Sequence, residues 1–205
     1  MPRKQKSCKV CGGGFQPKRP LQQVCGVACA YELTMQLKAK QQAKNNAILE
    51  EARETTSDLR HKLQTEINKL IRAIDYGQPC ISCGRSDKKW HASHYHHKSK
   101  NTAFNVTFHS WNLHKSCDFC NLHLHGNIVG YTDGLTKRYG ENILNLISDL
   151  PIIYKDIKFD KEQLKNAIKQ AKALFKTLDK DKIYFVAQQI ELRKIVNQKL
   201  GLYDI

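Results

Sequence analysis

Eight cysteines in four close pairs constrain this chain more than any other feature. They are Cys8 and Cys11, Cys25 and Cys29, Cys80 and Cys83, and Cys117 and Cys120. Three pairs have C-x2-C spacing and one C-x3-C, which leaves no cysteine over. Such short spacings suit tetrahedral zinc, with two thiolates from a turn and two from another element. They predict two structural Zn2+ sites of four thiolates each. The basic N-terminus leads into no apolar stretch, so a signal peptide is not expected and the chain is placed in the cytoplasm. Thiols there stay reduced, which favours metal over disulfides. No apolar run approaches the roughly 20 residues of a membrane helix, so no membrane partner is expected.

Charge points to a partner. The 205 residues carry 34 Lys and Arg against 19 Asp and Glu, a formal net charge of +15. For a soluble protein that excess suits a polyanion, and nucleic acid is the first candidate. It is steepest in residues 1–44, with nine basic side chains against one acidic. Residues 45–80 are close to neutral.

Four regions are expected: a zinc finger at 1–35, a helical connector at 36–76, a core at 77–127 and a helical region at 128–205. In the first, Cys8-Lys-Val-Cys11-Gly12 reads as a knuckle. Val27 to about Arg53 lacks Pro and Gly and favours helix, with Cys25 and Cys29 on one side of its first turn. Knuckle, loop and helix resemble a treble-clef finger. Thr55 to Asp58 offers a second N-cap. Leu59, Leu63, Ile67, Leu70, Ile71 and Ile74 then recur at helical spacing, as core or as a pairing surface. Helices are predicted near Ile128–Arg138, Glu141–Ser148 with a break at Pro151, Asp160–Leu178 and Ile183–Leu200. Lys161, Lys165, Lys169, Lys172, Lys176 and Lys180 form one row on the third, either a solvated face or a phosphate contact.

The chemistry concentrates between Cys80 and Asn127. Eight of the nine histidines follow Cys83, and 33 residues separate its two cysteine pairs. Trp90-His91-Ala92-Ser93-His94-Tyr95 comes first, followed by Asn112-Leu113-His114-Lys115-Ser116-Cys117-Asp118-Phe119-Cys120-Asn121. This block resembles a zinc-bearing HNH, or His-Me finger, nuclease domain. With Pro79-Cys80-Ile81-Ser82-Cys83-Gly84 and Gly126-Asn127 it is more closely similar to the NinG (Rap) family of lambda-like phages. The resemblance implies an α+β fold with a ββα-metal core: a strand near Lys89–Tyr95, a loop near His96–Asn112, a strand at Leu113–Cys117 and a helix from Asp118. It also implies a recombination endonuclease in the host cytoplasm, cutting branched DNA such as Holliday junctions and D-loops.

Hydrolysing a phosphodiester needs a base for water, a cation at the leaving oxygen and donors for the developing charge. His94 is the expected base, since an imidazole is largely neutral at cellular pH. Asn121 is the expected ligand of a catalytic Mg2+, with help from His125. Asn112 is placed in the catalytic set, more as a brace for the loop than as a ligand. Lys98, Lys100 and Lys115 are the expected DNA contacts. His96, His97, His109 and His123 read as loop or surface residues, and Trp90 and Trp111 as packing. His91 and Ser93 depart from the family pattern, which usually has an acid and a glycine there. Junction cutting in pairs suits a homodimer, for which the Leu59–Ile74 stripe is a candidate surface. Two alternatives stand beside this reading: an HNH nuclease for ordinary duplex DNA, and a non-catalytic zinc-finger DNA-binding protein.

Overall fold

Thr55 is where the chain changes character. Its hydroxyl accepts from the Asp58 amide at 3.2 Å while the Asp58 carboxylate accepts from the Thr55 amide at 2.9 Å. This reciprocal cap starts a new helix and separates two units, Met1–Glu54 and Thr55–Ile205. The structure, a computed structural model, describes residues 4–86, 89–97 and 104–203.

The first unit pairs β1 (Lys6–Ser7) with β2 (Gly14–Phe15) antiparallel, then enters α1 (Val27–Arg53). Its 27 residues bury none of their side chains, and Tyr31, Leu37 and Ile48 stay exposed. Local pairs such as Gln41–Asn45 and Gln42–Asn46 support it instead. Cys8 and Pro17 are the unit's only buried residues among those described, so burial cannot hold it together.

The second unit has a real core. The stripe expected on α2 (Thr56–Ile74) is buried from Leu59 to Ile74 against Leu164, Ala167, Ile168 and Ala171 of α5 (Lys161–Thr177). It is therefore spent inside the chain and is not a dimer surface. The expected connector at 36–76 does not exist as one piece, because its first part belongs to α1 and its second to this core. Likewise the region 128–205 is not separate: α5 and α6 (Val186–Leu200) share a cluster with Phe108 and Leu113.

The site rides on an antiparallel hairpin, β3 (Trp90–His94) with β4 (Leu113–Cys117), in the register Trp90↔Cys117 to His94↔Leu113. Successive strand residues alternate faces. Trp90, Ala92 and His94 thus share one face with Leu113, Lys115 and Cys117, and His91 and Ser93 share the other with His114 and Ser116. Two short 3-10 turns, Phe104–Val106 and Ser110–Asn112, lead into β4. After β4 comes a single π-helical turn, Phe119–His123, where an α-helix was expected. His125 and Asn127 then take left-handed backbone before α3 (Ile128–Tyr139).

α4 (Asn142–Ile153) continues through Pro151, where a break was expected. Proline lacks the N–H that would bond the Ile147 carbonyl. That carbonyl accepts instead from His96 Nε2 at 2.8 Å, which satisfies it and ties the loop after β3 to α4. Beneath the hairpin lies a fully buried ion pair. Arg193 of α6 reaches Asp75 at 2.8 and 3.0 Å, and also donates to the Leu113 carbonyl at 2.8 Å. Asp75 accepts from the Lys115 amide at 2.9 Å. Burial opposes the guanidinium's charge and Asp75 more than offsets it, so Arg193 stays protonated. Among the described residues no helix is long and apolar enough to cross a membrane.

Candidate functional site

Each unit carries one set of four cysteines, Cys8, Cys11, Cys25 and Cys29 in the first and Cys80, Cys83, Cys117 and Cys120 in the second. The sulfurs of each set lie within 4.8 Å of one another. Zn–S bonds of about 2.3 Å in a tetrahedron put sulfurs about 3.8 Å apart. Cys11–Cys25 at 3.7 Å, Cys25–Cys29 at 3.6 Å and Cys83–Cys117 at 3.8 Å match that spacing and are far too long for disulfides. Gly12 and Gly84 close the knuckles with positive φ, each returning its amide to the first cysteine's carbonyl. Backbone amides also point at sulfur, as from Cys117 to Cys80 at 3.2 Å and from Cys120 to Cys117 at 3.4 Å.

Crowding polarises the thiols. Cys8 is drawn down to about 6, chiefly by the Cys11 amide, while Cys29 is pushed up to about 12, first by its hydrogen bond with Cys25. Burial pushes Cys120 up as well. Four thiolates repel one another unless a cation sits among them, so the donor set, spacing and amides fit Zn2+ in both places.

Beside the second cluster the hairpin gathers polar groups. Ser116 Oγ donates to Ser93 Oγ at 2.9 Å, and Ser93 Oγ donates to Asn121 Oδ1. Asn121 sits in the π-helical turn immediately after Cys120, so the metal site fixes its backbone. On the same face His91 Nε2 meets Asp118 Oδ1 at 2.7 Å, both about a third exposed. An acid from between the two cysteines of the last pair thus reaches the strand. Sequence reasoning passed over Asp118, although its place in Cys117-Asp118-Phe119-Cys120 was the available signal.

His94 leaves the strand on the opposite face, where its Nε2 lies 3.0 Å from the Thr107 carbonyl. A carbonyl only accepts, so Nε2 carries the proton and Nδ1 is the basic nitrogen of the neutral ring. Asn112 is fully buried, taking the His96 amide at 2.7 Å and giving to the Val106 carbonyl at 3.1 Å. It braces the loop and cannot touch a substrate, which removes it from the catalytic set. His114 Nδ1 meets Tyr131 Oη at 3.1 Å, and that hydroxyl donates to the Ser93 carbonyl at 2.9 Å. His114 therefore supports the strand one residue before His94.

The remaining expectations fare differently. The His125 ring is exposed, and its carbonyl accepts from His97 Nε2 at 2.8 Å. Lys115 is only 5% exposed, its ammonium 4.0 Å over the Trp90 ring, so it is not a surface contact for DNA. Every residue of β4 is buried, which draws its lysine inward. Lys98 and Lys100 lie outside the described residues. His109, expected at the surface, is buried with Nε2 3.1 Å from Asn197 Nδ2. Five lysines of the α5 row (Lys161, Lys169, Lys172, Lys176, Lys180) are exposed, and Lys165 is partly covered.

The family model described as bacteriophage lambda NinG protein matches residues 1–181. The chain belongs to the NinG family. It is 38% identical to the NinG protein of Escherichia phage lambda over 85 residues, 41% of each chain. With that of Escherichia phage 933W it shares 28% over 162 residues, 70% of this chain and 80% of the relative. The Salmonella phage P22 NinG protein is 40% identical over 78 residues, 38% of this chain and 37% of the relative. The chain thus spans about two fifths of the lambda relative it matches, and more of the 933W one. No solved structure matches it at a significant level.

Proposed function

We propose that this NinG-family chain is a metal-dependent DNA endonuclease that hydrolyses phosphodiesters in branched recombination intermediates. The observation that carries this reading is His94, an imidazole at the end of β3 whose Nε2 donates to the Thr107 carbonyl, which makes Nδ1 the basic nitrogen. A neutral imidazole held in one tautomer at a strand end is what activation of a water requires. Ser93, adjacent in the strand, is tied to Asn121, and Asn121 to the zinc knuckle. This links the base to a hard oxygen donor through rigid backbone.

The donors fit Mg2+ in a limited way. Asn121 Oδ1 is a neutral oxygen, Ser93 Oγ behind it is buried, and Asp118 is engaged by His91. Such a set suits a cation that keeps most of its water and takes its negative ligands from the substrate phosphate. When bound there, Mg2+ would neutralise charge on the leaving oxygen. Asn121 would orient the cation's shell from one face of the hairpin, and His94, at the strand end on the other face, would take the proton from water. The same shortage of carboxylates is the observation that favours a non-catalytic DNA-binding protein instead.

Labelled four-way junction, fork and duplex DNA, incubated with and without Mg2+, separate these readings. Cleavage of branched DNA is expected only with Mg2+. His94→Ala should cut about two to four orders of magnitude more slowly, with zinc content and junction binding retained. Equal cutting of junction and duplex would make the chain a general duplex nuclease. Junction binding without cleavage in Mg2+ or Mn2+ would remove the enzyme reading.

A further inference from the structure

A second polar feature lies at the other end of β3 from His94. The last turn of α2, the start of β3 and the middle of β4 enclose a groove of about 500 Å3 lined by Arg72, Tyr76, Gln78, Ser86, Trp90 and Lys115 among others. That volume lies in the range of small-molecule sites. Among the described residues its lining holds two aromatic rings, Arg72 and the buried Lys115, and no acid. Arg72 is half-buried, and its guanidinium has no hydrogen bond or ion pair among the described residues. A partly desolvated, unpaired guanidinium calls for an anion. Tyr76 is 41% exposed on the same groove. Trp90 packs on the cysteine cluster, with the Lys115 ammonium 4.0 Å over its ring.

We propose that this groove binds single-stranded DNA, seating an unpaired base against Tyr76 and Trp90 and the adjoining phosphate at Arg72. Aromatic planes beside cations are how proteins hold unpaired strands, because every base has a π-face and every nucleotide a phosphate. Duplex DNA keeps its bases stacked inside and cannot offer one to the groove, so the groove selects DNA with unpaired nucleotides. Trp90 and His94 are four residues apart on one face of β3, about 13 Å at about 3.3 Å per residue. The proposal deepens the endonuclease reading and rests on it only for the claim that the unpaired strand belongs to a branched substrate.

The test is binding, in buffer without Mg2+, of oligothymidylate and of a duplex of equal length. Oligothymidylate should quench tryptophan fluorescence in the parent protein. Trp90→Phe should lose most of that quenching and keep most of the affinity, because Trp111 is buried elsewhere and Phe still stacks. Arg72→Gln and Tyr76→Ala should each weaken oligothymidylate binding about tenfold. Duplex affinity, zinc content and thermal midpoint should stay at parental values. Parental oligothymidylate affinity in both variants would overturn the groove, even if junctions are still cut. Loss of duplex and single-strand binding together would also overturn it, since the residues would then act as general cations. If the expected pattern appears and junction DNA is not cleaved when Mg2+ or Mn2+ is added, the groove stands and the endonuclease reading falls.

Discussion

His109 and His114 are buried and neutral, and that has a cost in acid. Burial holds His109 down to about 3, helped by the charge of Arg193, and holds His114 well below its ordinary value. In the unfolded chain each takes a proton as pH falls through about 6.5, while the folded chain does not. Stability is therefore complete above that pH and declines below it, by about 1.4 kcal/mol per pH unit for each histidine until its folded value is reached. His109→Gln should lose stability between pH 6 and 4 about 1.4 kcal/mol per unit less steeply than the parent. Denaturant unfolding over that range measures it, and identical slopes would refute the account. The burial of His109 was not legible in sequence. A histidine two residues before a tryptophan reads equally well as loop, and Asn197 from α6 together with the rings of Tyr154 and Tyr203 makes His109 interior. Asn112 differs, because a loop-bracing role could be read from its place before β4, and its three partners are loop carbonyls and an amide.

At the scale of elements, the second zinc knuckle and α3 depend on two glycines. A Cβ at Gly130 would land on the Ser82 carbonyl oxygen, and one at Gly134 on the Ile81 carbonyl oxygen. Four residues apart, they make a bare stripe on which the knuckle backbone lies directly. Gly134→Ala should displace that backbone and cost about 1–3 kcal/mol, the range for an overpacked contact. A lowered thermal midpoint with easier zinc loss from the second cluster would show this, and a parental midpoint would contradict it. Helix propensity alone favours Ala over Gly here, so the sign of the effect is set by tertiary contact. The same lesson holds at Pro151. The rule that proline ends a helix misplaced the end of α4, because His96 supplied the hydrogen bond that the rule assumes lost. By contrast, α1 from Val27 to Arg53 and β4 from Leu113 to Cys117 fall where residue pattern and family resemblance placed them.

In the whole molecule, two units stand on different foundations. Met1–Glu54 has almost no buried side chains and relies on four thiolates, whereas Thr55–Ile205 has helices packed on both sides of its hairpin and a buried Arg193–Asp75 pair. Metal analysis should find two zinc atoms per chain. Cys8→Ser should lose one and leave the cooperative unfolding of the second unit at its parental midpoint. Cys117→Ser should lose the other and abolish that transition, because Cys117 closes β4 against β3. One zinc in the parent, or equal damage from both variants, would contradict this division. Cysteine spacing determined both clusters by itself, since a knuckle is a local structure and four thiolates need one cation wherever the chain brings them. The helical stripes were equally plain, because periodicity is a local property. What each stripe packs against was decided only by the tertiary structure. Burying Leu59 to Ile74 against α5 excludes it as a dimer surface, and folding the C-terminal helices under the hairpin makes them part of the core. The meeting of His91 with Asp118 and of Ser93 with Asn121 was settled the same way, because each depends on register between strands and on a π-helical turn, which residue spacing does not encode.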